Sequence, residues 1–209
     1  MSDRPGESYA NLHRERYTIA HPHNHVLVVL PSSINVHFVN GVFEERRGPP
    51  HTAYEFEVSL EALHKIAYFR RTLHQDEAAH GTSELRDDDL RAWKLWLEMV
   101  HGRLSEQSYY AQISTVWHVL RIANPKCADA GRWFDQWFFV QSAEGLFTRN
   151  DNVRQILFPC HAFDHALGFT TCTVWLVYNC AGHIAEERPK EFEHHPRLGL
   201  DHGIERMFH

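Results

Sequence analysis

The stretch Tyr54-Glu55-Phe56-Glu57-Val58-Ser59-Leu60-Glu61-Ala62-Leu63 decides the fold. Its first half alternates large apolar residues with glutamate, the two-residue period of a strand with one buried face. Its second half is helical. Ser59 can cap, Glu61 and Ala62 are good helix formers, and Leu60, Leu63 and Ala67 share a face. Ile66, Phe69 and Leu73 continue at helical spacing, so one bent helix or two short ones are expected over 59–74. A strand that passes directly into a helix points to an α+β chain.

Upstream, Val26-Leu27-Val28-Val29-Leu30 is a short β-rich run closed by Pro31-Ser32-Ser33. Ile34–Val39 alternates and meets Asn40-Gly41, a second strand with a turn signal. The charged segment 44–51, with Gly48-Pro49-Pro50, reads as a loop, and the polar stretch 1–22 reads as a loose arm. Downstream, residues 75–82 form a polar connector and Ser83–Arg86 a short strand. Asp87-Asp88-Asp89 then opens a helix, because carboxylates there accept from free amides and favour the positive end of the dipole. Leu90, Trp93, Leu97 and Val100 form its face, Trp96 its edge, and Gly102 its end.

Ile113, Val116, Trp117 and Leu120 mark another helix, stopped by Asn124-Pro125. Ala130, Trp133, Phe134, Trp137 and Phe138 follow the helical repeat over 128–140, and this aromatic stripe reads as core. Val153, Ile156, Leu157, Cys160, Phe163, Asp164 and Leu167 trace a further helical face, with a kink expected at Pro159. Gly168 separates it from 169–178, where threonine and valine favour a strand. From Glu186 a charged, His-rich tail with little order is expected.

The chain has 209 residues, enough for one domain with an extension. Its formal net charge is −6 with neutral histidines, which argues against a general nucleic-acid surface. No run of about 18 uncharged apolar residues exists, so no membrane helix is expected. The first residues hold no apolar signal-peptide core. Cys127, Cys160, Cys172 and Cys180 contain no CxxC pair and read as reduced, mostly buried thiols in the cytoplasm or nucleus. There are 18 histidines. At an ordinary pKa near 6.5 they carry the net charge from roughly −2 at pH 7 to roughly +8 at pH 6, so solubility or association should respond to pH near neutrality.

In its order of elements the chain resembles a BTB/POZ domain. Tyr54–Leu63 looks like that family's strand-to-helix entry, and Ile66–Leu73 stands where its next segment belongs. Leu85-Arg86-Asp87-Asp88-Asp89-Leu90-Arg91-Ala92-Trp93 resembles the family's aspartate-rich helix start, and Leu97–Gly102 its closing hydrophobic-x-x-His-Gly. Ile113–Phe138 is similar to its paired final helices. Leu157–Phe169, with Tyr178–Ile184, resembles a helical extension of fungal BTB-like proteins, which makes 169–178 helical against its propensity; that helical reading is adopted. The resemblance covers about 26–185. It implies a BTB/POZ-like small sheet covered by helices over 23–140 and a packed helical extension over 141–185, between the arm over 1–22 and the tail over 186–209 already read from their polar composition. It also implies protein–protein association, as a dimer through the first strand and first helices or as an adaptor. Leu73-His74-Gln75 does not supply the hydrophobic-x-Glu signal, which argues against cullin recruitment.

Chemistry is sparser. His161 and His165 stand four apart, as do Cys160 and Asp164, so a helix would place each pair together. With Cys180 or His183 they could close a zinc tetrahedron, the basis of the alternative reading as a zinc-binding protein or metal-dependent enzyme. His21-x-His23-x-His25 would project to one side of a strand, but Pro22 favours an arm. Cys160 and His161 diverge by about 100° on a helix and cannot pair as nucleophile and base. No GxSxG, GxGxxG or P-loop pattern occurs. Asp164 is expected to be buried and paired with His161, His165 or an indole. The reading is a non-enzymatic protein-interaction module with no catalytic residue, metal or cofactor. Its partner is a protein, not nucleic acid or membrane, and strand edges and helix faces of the N-terminal half are expected to be completed by a second chain.

Overall fold

The structure, a computed structural model, describes residues 12–31, 33–39, 42–48, 51–64, 81–86, 89–122, 128–180 and 184–193, with backbone alone over 33–48 and 84–86. The chain is α+β, in two compact units, Met1–His101 and Gly102–His209. The division between the units falls near residue 101.

The first unit holds β1 (His13–Thr18), β2 (His25–Leu30), β3 (Ser33–Val39), β4 (Val42–Gly48), β5 (Thr52–Val58), α1 (Leu60–His64), β6 (Thr82–Arg86) and α2 (Leu90–Val100). Four strands form a mixed sheet in the order β1-β5-β2-β6. β2 runs antiparallel to β5, with Leu27 opposite Phe56, while β6 lies parallel to β2 and β1 parallel to β5. Leu27, Val28, Val29 and Leu30 are all buried, so both faces of this central strand are covered. α2 packs on β5 and buries Trp93, Leu95, Trp96, Leu97 and Met99. Asp89 caps it as expected, accepting from the Ala92 N–H at 2.8 Å. The expected helical segment beyond His64 lies outside the described residues.

Two strands were not legible. β1 falls in the stretch read as a loose arm. It carries no apolar alternation because polar contacts hold it: Arg14 and Arg16 donate to Glu55, and Tyr17 stacks on Phe56 at 5.4 Å. β4 falls in the segment read as a charged loop. It pairs with β3 as a separate two-stranded sheet, Val39 opposite Val42 and Ser33 opposite Gly48. Asn40-Gly41 calls for a returning strand, and backbone pairing accepts charged residues in it.

The second unit is helical: α3 (Ile113–Ile122), α4 (Ala128–Glu144), α5 (Asn150–Ala162) and α6 (Ala166–Asn179), with 3-10 turns at Glu106–Tyr110, Leu146–Thr148 and Lys190–Phe192. The stripe Ala130, Trp133, Phe134, Trp137 and Phe138 is buried, as the periodicity requires. α5 runs through Pro159 to Ala162. Proline cannot donate to the carbonyl of residue 155. That carbonyl instead accepts the Trp117 indole N–H at 2.8 Å, so the missing helix bond is replaced. The stretch 169–178 is helical despite its propensity. Thr171 and Thr173 turn their hydroxyls back to the carbonyls of Leu167 and Phe169, each at 2.8 Å. The part of the expected loose tail up to residue 193 also has structure, since Phe192 is buried against Trp117; 194–209 lie outside the described residues.

Candidate functional site

The joint between α5 and α6 organises the second unit. Asp164 takes a left-handed conformation, φ 56°. Its N–H bonds the His161 carbonyl at 3.1 Å, and the His165 N–H bonds the Cys160 carbonyl at 2.8 Å. This is the double bond of a Schellman helix ending, with aspartate where glycine is usual. Asp164 is exposed there, which corrects the expectation of a buried, paired carboxylate. His165 follows at once as the cap of α6.

The ring of His165 has a defined proton. Its Nδ1 accepts the Gly168 N–H at 3.0 Å, so Nε2 carries the hydrogen and donates to Asp135 Oδ1 at 3.0 Å. The ring also packs against Phe134 and Phe138. A cavity of about 380 Å3 opens beside it, lined by Asp135, Phe138, Phe139, His165, Leu167 and Thr171 among others. Apolar side chains dominate, with one exposed carboxylate, Asp135, at the rim.

The same region carries the exposed apolar surface. Of the six large hydrophobic residues exposed among the described residues, five lie here: Phe139 (71%), Leu167 (74%), Val174 (49%), Val177 (58%) and Tyr178 (83%). Four of them belong to α6, whose opposite side buries Gly168, Cys172 and Leu176. At about 100° per residue the exposed side chains span a stripe roughly 100° wide. All 14 residues of α6 lack a charge. A helix with a buried apolar face and, on another side, a stripe of exposed large apolar residues is normally covered on both. The sequence signal for this face is the absence of any charge from 166 to 179.

The metal candidates do not converge. His161 is exposed near the end of α5, while His165 is turned to Asp135 and the α6 amide. Cys160 is buried beside Cys172; burial, then the hydrogen bond between the two thiols, pushes the Cys160 thiol well above its ordinary range. A thiol held protonated is a poor nucleophile. Cys180 is partly exposed at the end of α6, and His183 lies outside the described residues, as does Cys127. Among the described residues no group of three His, Cys, Asp or Glu side chains is placed to hold an ion.

In the first unit, only His25 of the His21-x-His23-x-His25 series lies in a strand. It is buried, with Nε2 2.8 Å from the Ser83 hydroxyl. Burial, then the charge of His64, lowers its pKa. His101 is the closing histidine of the aspartate-rich helix segment. Its Nε2 accepts the Ser59 N–H at 3.0 Å, so Nδ1 donates to the Leu97 carbonyl at 2.7 Å. It ties the end of α2 to the junction of β5 and α1. Glu57 faces Thr18, and the hydroxyl bond, aided by His23 and Arg16, holds its carboxyl below the usual range. These polar groups join elements; they do not converge on an open cleft.

Among the described residues, no helix is long and apolar enough to cross a membrane. Comparison of the chain with protein-family models, curated proteins and solved structures gives no match.

Proposed function

We propose that this chain is a non-enzymatic protein-interaction module, BTB-like in its first unit, that docks through the uncharged outer face of α6 and the adjoining Phe139. The observation that carries the reading is the clustering of five exposed large apolar side chains on and beside a helix without a charge. Contiguous apolar patches of this kind mark association surfaces. The BTB-like part draws support from the order of elements: strands β2 and β5 side by side, a helix after β5, then β6 returning parallel beside β2 and leading into the capped α2. Docking sits in the second unit, not on the N-terminal strand edges that the sequence favoured. An intracellular setting, cytoplasm or nucleus, agrees with three free thiols at Cys160, Cys172 and Cys180.

The test compares the wild-type chain with Val174→Glu/Val177→Glu as baits in pull-downs. Both substituted positions are exposed, so the melting temperature should hold while bound protein is lost. Equal capture by both baits overturns the reading.

A further inference from the structure

We infer that the occupant of this face is a second copy of the same chain, docked through an antiparallel α6–α6 pair in which Tyr178 of each copy enters the cavity beside Asp135 and Leu167 of the other. The inference rests on the reading of α6 as a docking surface and adds the identity of what docks.

The register is built into the helix. Leu167, Thr171, Val174 and Tyr178 follow a four-three-four spacing, the seam of two packed helices. The midpoint between 167 and 178 is also the midpoint between 171 and 174. A two-fold axis through that point therefore sets Leu167 against Tyr178 of the second copy, and Thr171 against Val174, twice over. Eleven residues of helix span roughly 16 Å, so each Tyr178 reaches the far end of the opposing seam. There Leu167 and Thr171 line the cavity of about 380 Å3, ample for a phenol ring. The exposed Asp135 carboxylate at its rim accepts bonds, and the phenol hydroxyl is a donor. The apolar body and polar tip of tyrosine match an apolar hollow with one acceptor.

Charge and area favour the same occupant. A two-fold contact sets a surface against itself, so any charge on its axis would meet its own sign. α6 has none. Nor does it offer the cations that nucleic acid or an anionic membrane would need. The five exposed side chains present roughly 600 Å2, and twice that lies at the lower limit of a specific interface. Dimerisation should accordingly be weak, with a dissociation constant on the order of 10 µM.

The test is sedimentation equilibrium of the full chain from 1 to about 300 µM, with Val174→Glu, Val177→Lys and Tyr178→Phe, each checked by circular dichroism. Expected are a monomer–dimer equilibrium, a dissociation constant raised more than 30-fold by Val174→Glu, raised less by Val177→Lys, which flanks the seam, and raised about 3- to 10-fold by Tyr178→Phe. In a Cys180→Ser background, Thr171→Cys/Val174→Cys should form an intermolecular disulfide more readily than Val174→Cys alone, since only the antiparallel register sets 171 against 174. A dimer insensitive to the α6 changes overturns the inference. So does a wild-type monomer, and 8-anilinonaphthalene-1-sulfonate binding then separates two failures. A monomer that binds the dye through α6, losing the signal in Val174→Glu, leaves a docking face with another occupant. A monomer without that signal removes the docking reading as well. Flotation with phosphatidylcholine vesicles, abolished by Val174→Glu, would make the occupant a lipid surface and overturn self-pairing.

Discussion

Within a helix, changing glycine to alanine usually adds about 0.5–1 kcal/mol of stability. Gly168→Ala should do the opposite. A methyl group at this position would stand 2.2 Å from His165 Nδ1, 2.8 Å from its Cε1 and 3.0 Å from Cys160 Sγ. The sulfur is buried and cannot retreat far, so the imidazole must swing away. That forfeits the cap on the Gly168 N–H, worth about 1 kcal/mol. The bond to Asp135 adds only a few tenths to about 1 kcal/mol, because that carboxylate is exposed. Residual crowding against Cys160 adds about 1 kcal/mol or more. Set against the helix gain, the net loss should be about 2 kcal/mol, a fall in melting temperature of about 4–8 °C for a chain of this length. Urea denaturation gives the free energy directly, and the His165→Ala background tests the cause. Without the ring, Gly168→Ala should cost less than about 1 kcal/mol. A Gly168→Ala protein as stable as wild type, or one equally damaged with and without His165, refutes the account.

Three further outcomes follow from the polar contacts. His25 has its pKa lowered by burial, so the unfolded chain takes up a proton first; stability is complete above about pH 6.5 and declines below it by up to ~1.4 kcal/mol per pH unit. Melting temperatures from pH 7.5 to 5.5 should fall less steeply in His25→Asn, and an unchanged slope counts against this group. Asp164→Gly should be neutral or stabilising, whereas Asp164→Val should cost about 1–2 kcal/mol, because a β-branched residue resists positive φ; equal thermal melts for the two would contradict it. Arg16→Ala should destabilise more than Glu55→Gln does, since it strands part of a buried carboxylate while the arginines themselves reach water; the reverse order in urea titrations would show that the charge pair is not what holds β1.

What the sequence made legible was apolar and periodic. The β-rich apolar run at Val26–Leu30 and the alternation at Tyr54–Val58 mark β2 and β5, and the tryptophan-bearing repeats mark α2, α3 and α4, because burial selects residues that must avoid water. What it hid was held by other means. β1 is joined through arginine–glutamate bonds that leave no apolar period, and β4 through a backbone ladder indifferent to its glutamates and arginines. Asp164 sat on an apparently apolar face, yet its backbone sign took it out of the helix altogether. The exposed face of α6 was obscured for the converse reason: threonine and valine in 169–178 favour a strand, yet the threonine hydroxyls bond back within a helix.

Three indoles in the second unit donate to main-chain oxygens: Trp117 to Gln155, Trp133 to Ser108 and Trp137 to Ala111. Such a bond reads only the acceptor's backbone. Mutational tolerance across the unit should therefore be lopsided: Gln155 and Ala111 can drift through many residue types without loosening their partners, whereas the tryptophans that grip them cannot. Descendants of this polypeptide could thus grow dissimilar letter by letter while their spaced indoles still hold the same loops in place.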